Sequence, residues 1–256
     1  MKSSKFNPKF DVKHEAFSLA QDVIYALAAV LIVFGAMYLI LGPPFPPIVV
    51  VVSTSMLHED GDTQWNTWLE ENNLNYTNFP LIGGFDKGDV IITKRTTNVS
   101  LGDVIIYERD FEHYGSESAP IIHRAVGIIT IRDWKFENYT GTLNCIDEAQ
   151  IEGTIDNVKM CNEEITNYNT NTPIIKETCQ YKNFPKEGNF KFYITKGDNN
   201  PISDQCGLMG NTRTSMRLIP ETQVITNAWI LIPKVGYIKI WMNDVISFII
   251  SPFVGH

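Results

Sequence analysis

The sequence is short of positive charge. It has 21 Lys and Arg residues against 29 Asp and Glu residues, which gives a formal net charge of −8. A nucleic-acid-binding protein is expected to carry a basic stripe or patch, so this composition argues against nucleic acid as a partner. With 256 residues, the chain is long enough for one or two domains with a sizeable core.

Cysteine is also scarce, and the few cysteines form no C-x-x-C pair. They are Cys145, Cys161, Cys179 and Cys206. Structural zinc sites are usually built from closely spaced Cys and His ligands, so a metal site is disfavoured, and nothing in the sequence indicates an organic cofactor. An even number of cysteines permits disulfides in an oxidising compartment, with three alternative pairings. Four buried thiols are the alternative interpretation.

Charge is missing altogether between Val23 and Leu57. Within this stretch, residues 23–41 (VIYALAAVLIVFGAMYLIL) are apolar throughout, and as a helix they span roughly 28 Å, close to the ~30 Å hydrocarbon core of a bilayer. The prolines after Gly42 should end the helix. A core helix would show a polar face, and a signal peptide has a shorter apolar run and a small-residue cleavage site. A retained single-pass anchor in the cell membrane is therefore favoured.

The residues on either side of the anchor indicate its orientation. Four lysines precede it: Lys2, Lys5, Lys9 and Lys13. The first basic residue after it is Lys87. The positive-inside rule then predicts that residues 1–22 are cytoplasmic and that residues 43–256 are extracytoplasmic. Three glycosylation sequons, at Asn75, Asn98 and Asn138, are permitted by this topology.

The external segment is predicted to be mainly β. Runs rich in β-branched and aromatic residues predict strands at 48–52, 121–130, 190–195 and 223–240. Two Gly-Asp turns open further strands at 88–92 and 102–107, and their separation of 14 residues predicts neighbouring antiparallel strands. One short helix is predicted around Trp65–Glu71.

Two segments do not follow the strand pattern. Residues 134–188 are polar and contain three of the four cysteines; a structureless loop of this length is unusual, so an inserted, cap-like subdomain stapled by a disulfide is expected. The tail, 241–256, is apolar, but Asp244 limits its uncharged run to about 12 residues, too few to span a bilayer. We expect this tail to lie on the membrane surface or to pack on the domain.

A candidate nucleophile, Ser55, follows the first predicted strand. A lone serine at a strand end is common, and it needs a base that accepts its proton. Topology excludes His14, and His256 is terminal. The remaining histidines are His58 and His113, in polar loops where solvated histidines are usual, and His123, in an apolar strand. A strand can hold a base rigidly within hydrogen-bond reach, although a structural histidine is also common there.

A histidine base needs an acid partner that fixes its tautomer and stabilises the imidazolium. The turn at 197–204 (GDNNPISD) offers two carboxylates, Asp198 and Asp204. The ordinary alternative is an Asx-type turn in which these side chains only cap the backbone. Spacing alone does not choose between the two interpretations.

The ordered set of these features resembles type I signal peptidase, and more closely its archaeal and endoplasmic-reticulum branch. The set is Ser-x-Ser-Met at 53–56, the two Gly-Asp strands, His123-Arg124, and Gly-Asp-Asn-Asn…Asp at 197–204, behind an N-terminal membrane helix. The bacterial branch has Lys-Arg in place of His-Arg. The resemblance covers the anchor and most of 48–133 and 190–240, and it implies a signal-peptidase-like antiparallel β-sheet catalytic domain.

The resemblance also implies roles for individual residues. Ser55 matches the nucleophile, His123 matches the general base, and Asp204 matches the acid that orients this histidine. Asp198 matches the second aspartate of the family. Ser53 matches the residue whose hydroxyl helps the oxyanion hole, where donors must face the developing negative charge. Supporting residues are Arg124, Gly197 and Asn199.

The implied function is a membrane-bound serine endopeptidase that removes signal peptides from secretory preproteins after small residues at −1 and −3. Preproteins and the lipid bilayer are the implied partners, and the need for accessory membrane subunits is left open. Apolar residues such as Phe45, Met56 and 245–253 are expected to rest on the membrane. The sequence departs from the family at His58, where Pro is usual, and in the 134–188 block. A non-catalytic leader-binding protein, a surface glycoprotein and a protease for other propeptides are the alternatives.

Overall fold

The computed structural model describes residues 12–42, 47–58, 63–95, 98–108, 119–167, 181, 183–206 and 217–237. Its helices are α1 (Val12–Leu41), α2 (Thr63–Glu71) and α3 (Glu148–Asn167). Its strands are β1 (Ile48–Val50), β2 (Val90–Lys94), β3 (Val104–Tyr107), β4 (Ile121–Arg132), β5 (Lys135–Gly141), β6 (Phe190–Lys196), β7 (Ile219–Pro220) and β8 (Val224–Ile232). A 3₁₀ turn, Glu221–Gln223, precedes β8.

The strands form one antiparallel sheet, which confirms the mainly β prediction. Its order is β1-β2-β8-β3-β4-β6-β7, and β5 pairs with β4. The prediction that the two Gly-Asp strands are neighbours is wrong, because β8 lies between β2 and β3 and pairs with both. The two turns set how each strand begins, but the partner of each strand comes from a distant part of the chain.

Both faces of the sheet are covered in the region of β4 and β6. One face carries the hydrophobic cluster of Ile105, Tyr107, Ile121, Ala125 and Tyr193. The other face packs Val126, Ile129, Phe192 and Ile194 against α2 and α3. Successive side chains of a strand point to opposite faces, so the adjacent residues His123 and Arg124 lie on opposite sides of the sheet.

Helix α1 ends at Leu41, as the sequence predicts. Gly42 has a φ of 70°, and its backbone N–H donates to the carbonyl of Tyr38 at 2.9 Å, which is a common way to terminate a helix. The segment Leu19–Leu41 has a mean hydropathy of 2.6 and, apart from Leu41 at its end, is not buried by the rest of the structure. By length and composition it can cross a membrane. The N–H of Arg95, after β2, donates to the carbonyl of Leu41 and so joins the sheet to the end of α1.

The described part of the 134–188 block packs on the main sheet. Strand β5 pairs along β4, and α3 adds Ile151, Ile155 and Val158 to the core cluster beneath β4 and β6. Cys145 forms a disulfide with Cys206, and Cys161 is disulfide-bonded as well. Disulfide formation is thus confirmed, and the Cys145–Cys206 bond ties the block to the loop that follows β6. A separate cap-like subdomain stays a prediction.

Several predictions fall on residues outside the described part of the chain. These residues are Phe45, His113, Cys179 and the tail at 241–256.

Candidate active site

Three of the predicted site residues meet at one point, although they come from distant parts of the chain. Ser55 lies in the turn after β1, His123 lies in β4, and Asp204 lies in the loop after β6. The Ser55 Oγ is 3.0 Å from Nε2 of His123, and Nδ1 of the same ring is 2.6 Å from Oδ2 of Asp204. This order of hydroxyl, imidazole and carboxylate can activate a serine for attack on a carbonyl carbon.

The Asp204 carboxylate has further donors that the sequence did not indicate. The Thr195 hydroxyl donates to Oδ2 at 2.6 Å, and the Tyr107 phenol donates to the same oxygen at 3.1 Å. Gln205 in turn accepts a hydrogen bond from the backbone N–H of Thr195. The sequence carries no separate signal for these residues. Only the pairing of β3 and β6 with β4 places Tyr107 and Thr195 on the same face as His123.

Hydrogen-bond donors for an oxyanion are present beside Ser55. The Ser53 Oγ lies 3.2 Å from the Ser55 Oγ, and both side chains are accessible to solvent. Within the described part of the chain, the backbone N–H of Ser55 donates to no backbone carbonyl. A hydroxyl and a backbone N–H next to a nucleophile are the donor types that stabilise negative charge on a tetrahedral intermediate.

The 197–199 segment holds the turn of Ser55 against β4. The backbone N–H of Asn199 donates to the carbonyl of Ser55 at 2.9 Å, and its side-chain amide donates to the carbonyl of Thr54 at 3.1 Å. A Cβ at Gly197 would lie 2.7 Å from the Ser55 carbonyl and 2.8 Å from Nε2 of His123. Gly197 therefore permits the close approach that brings hydroxyl and imidazole together.

Asp198 does not join this group, and it lies in a second, buried cluster with Arg124 and His58. Nε and Nη2 of Arg124 donate to the Asp198 carboxylate at 2.7–3.2 Å. Nε2 of His58 is 3.0 Å from Oδ2 of the same carboxylate. Arg124 also donates to the carbonyls of Pro80, Leu81 and Gly102.

Charge pairing within this cluster outweighs the cost of burial. Burial alone disfavours the ionised form of Asp198, but the positive charge of Arg124 and the hydrogen bonds from His58 and Arg124 keep its pKa below the ordinary value. The cluster thus fixes the loop that carries Asn199, which in turn holds the turn of Ser55. His58 is bound to Asp198 and takes part in this structural network.

Met56 is buried, so the expectation that it rests on a membrane is wrong. Its sulfur accepts the backbone N–H of Asp198 at 3.4 Å. The residue before Gly197 is also buried: Nζ of Lys196 donates to the carbonyls of Gly197 and Asp198 and lies 4.9 Å from the ring centres of Trp65 and Trp68. The residues next to Met56 in the sequence did not indicate that the distant 197–199 segment would cover its side chain.

No protein-family model, no curated protein and no solved structure matches this chain.

Proposed function

We propose that this protein is a membrane-anchored serine endopeptidase that removes signal peptides from secretory preproteins, with a domain of the signal-peptidase type. The hydrogen-bonded series from Ser55 through His123 to Asp204 carries the proposal. The residue order in the sequence, which resembles the archaeal and endoplasmic-reticulum branch of that family, supports the substrate class.

In the proposed reaction, His123 accepts the proton of Ser55 as Oγ attacks the scissile carbonyl carbon. Asp204 holds the imidazole in the tautomer with a proton on Nδ1 and stabilises the imidazolium that forms. The N–H of Ser55 and the hydroxyl of Ser53 donate to the oxyanion. His123 then protonates the leaving amine, and a water molecule, activated by the same base, hydrolyses the acyl-enzyme.

The position of the site relative to α1 supports a substrate that emerges from a bilayer. Ser55 follows the end of α1 closely in sequence, and the bond from Arg95 to Leu41 joins the sheet to the same helix end. We propose that α1 is a retained anchor with residues 1–22 in the cytoplasm and the β domain outside. The Cys145–Cys206 disulfide fits an oxidising compartment.

The test uses the full-length protein in detergent with a preprotein whose −1 and −3 residues are alanine. We expect one cut after −1, identified by N-terminal sequencing of the product, and no cut when −1 is changed to tryptophan. Ser55→Ala protein is the control for contaminating proteases. Leader binding without turnover would favour a non-catalytic relative, and cuts that ignore −1 and −3 would favour a protease for other propeptides.

His58→Ala is expected to spare most of the cleavage activity while lowering the free energy of unfolding. Arg124 still pairs with Asp198 in this variant, but a hydrogen bond to a buried carboxylate is lost, which costs about 1.5–3 kcal/mol. Urea unfolding and initial cleavage rates measure the two effects. His58→Gln retains a donor and should restore much of the stability. A loss of activity in both variants, with the fold intact, would show that His58 takes part in the chemistry.

A further inference from the structure

We infer that Tyr107 is a positioning residue for the proposed reaction. Its phenol, together with the hydroxyl of Thr195, fixes Oδ2 of Asp204 at the distance and angle that His123 requires. The inference rests on the proposed function, since it assigns Tyr107 to the Ser55–His123–Asp204 machinery. Tyr107 acts through Asp204 and does not touch the reacting atoms.

One oxygen of Asp204 receives all of the contacts in this arrangement. Oδ2 accepts from Nδ1 of His123 at 2.6 Å, from Oγ1 of Thr195 at 2.6 Å and from the phenol of Tyr107 at 3.1 Å. The phenol and the Thr195 hydroxyl are also 3.1 Å apart. Three donors from three different strands or loops therefore define the place of a single carboxylate oxygen.

The two hydroxyl donors are themselves held firmly. Tyr107 and Thr195 are fully buried. Oγ1 of Thr195 accepts from Nε2 of Gln205 at 3.4 Å and donates its own hydrogen to Oδ2 of Asp204, because an ionised carboxylate oxygen only accepts. Tyr107 is in the last position of β3, opposite Ile121 of β4 and two residues along from His123 on the same face.

The ring of Tyr107 is packed among apolar side chains. The neighbouring side chains Ile105, Ile121 and Ala125 are apolar and buried. A phenol in such a cluster needs hydrogen-bond partners, and here the carboxylate behind the candidate base is one of them, beside the Thr195 hydroxyl. Packing alone would be served equally well by phenylalanine, so Tyr107→Phe removes the positioning contact with little change in shape.

The chain offers a matched control for this substitution. Tyr181 is also buried, and its phenol donates to the carbonyl of Leu218 at 2.8 Å, away from Asp204. Tyr181→Phe loses a buried hydroxyl contact of the same kind without touching the site. Comparison of the two variants therefore separates a general loss of stability from a loss of positioning.

The first measurement is kcat and KM for the preprotein, with full-length protein in detergent. For Tyr107→Phe we expect kcat to fall about 10- to 100-fold, the range of one hydrogen bond to a charged group, with KM unchanged. For Tyr181→Phe, kcat should stay within twofold of the wild-type value.

A second pair of variants changes Thr195, the other hydroxyl donor to Oδ2 of Asp204. Thr195→Val is expected to lower kcat in the same way, whereas Thr195→Ser keeps the hydroxyl and should restore it. If Tyr107→Phe and Thr195→Val both keep the wild-type kcat, the inference is overturned.

A further readout distinguishes this inference from the proposed substrate. The rate at which a fluorophosphonate labels Ser55 depends on the activated serine and requires no peptide. If wild-type protein is labelled but cleaves no preprotein, the proposed function fails, while slower labelling of Tyr107→Phe than of Tyr181→Phe still supports positioning. Equal labelling rates overturn it.

If wild-type protein is neither labelled nor able to cleave, the NMR resonance of the proton between His123 and Asp204 serves as the test. A shift of this far-downfield resonance in Tyr107→Phe, but not in Tyr181→Phe, supports the inference, and an unchanged resonance overturns it.

Discussion

Replacing Ser55 by alanine is expected to abolish cleavage of a preprotein, and His123→Ala is expected to do the same. Loss of Oγ removes the nucleophile, and loss of the imidazole removes the group that lies 3.0 Å from it and can accept its proton. In serine proteases the loss of either residue lowers kcat by on the order of 10⁶. The measurement is the rate of mature-protein formation, followed by gel and by N-terminal sequencing.

A variant with both substitutions provides a further test of this pair. Because the two residues act as a unit, the variant that combines Ser55→Ala with His123→Ala should have a kcat no lower than that of either single variant. Asp204→Asn keeps the size of the side chain but favours the wrong imidazole tautomer. We expect kcat to fall by a factor of about 10⁴. Activity retained in His123→Ala would contradict the assignment of the base, and activity retained in Ser55→Ala would contradict the assignment of the nucleophile.

Arg124→Met is expected to cause a large loss of stability. Both Arg124 and Asp198 have fully buried side chains, and removing the guanidinium leaves a buried carboxylate without its main partner. Breaking a buried ion pair from one side typically costs about 3–5 kcal/mol. Urea unfolding of the detergent-solubilised protein, followed by tryptophan fluorescence, measures the change.

The pH dependence of this loss has a definite sign. In the wild-type protein the pKa of Asp198 is below its ordinary value of 3.8, so its contribution to stability is present above that value and is lost as the pH falls through the lowered value. In Arg124→Met, burial should instead raise the pKa of Asp198. The deficit of the variant should then shrink in acid, grow as the pH rises from the lowered wild-type value towards that raised value, and stay constant above it.

Two further variants serve as controls for the ion pair. Arg132→Met, on the same strand, breaks the surface pair of Arg132 with Glu137 and should cost less than about 1 kcal/mol. Arg124→Met combined with Asp198→Leu removes both buried charges and should recover part of the lost stability. A deficit in Arg124→Met no larger than in Arg132→Met would contradict a structural role for the buried pair.

The local elements were largely predictable from the sequence, because each depends on residues close together in the chain. A run of apolar and β-branched residues marks the strand that holds His123, and Gly42 with the following prolines marks the end of α1. The meeting of Ser55, His123 and Asp204 was expected only from the resemblance of their order to a family. Spacing alone did not separate the two aspartates of the 197–204 turn.

The parts that were missed depend on contacts between distant segments. Nothing near the Gly-Asp turns indicates that β8 lies between their strands. Tyr107 is a typical strand residue in the sequence, and its contact with Asp204 arises only when β3, β4 and β6 are aligned. The burial of Met56 likewise depends on the 197–199 segment, which is far away in the chain.

The central place of β8 has a consequence for the order of synthesis. Strand β2, beside the segment that carries Ser55, and strand β3, beside the strand that carries His123, are both hydrogen-bonded to residues 224–232. A chain that emerges from its N-terminus must wait for these residues before the two halves of the sheet can join. Long-range pairing of this kind also folds slowly. In a growing chain, the sheet that supports the serine and the histidine is therefore complete only when almost all of the described sequence has been made.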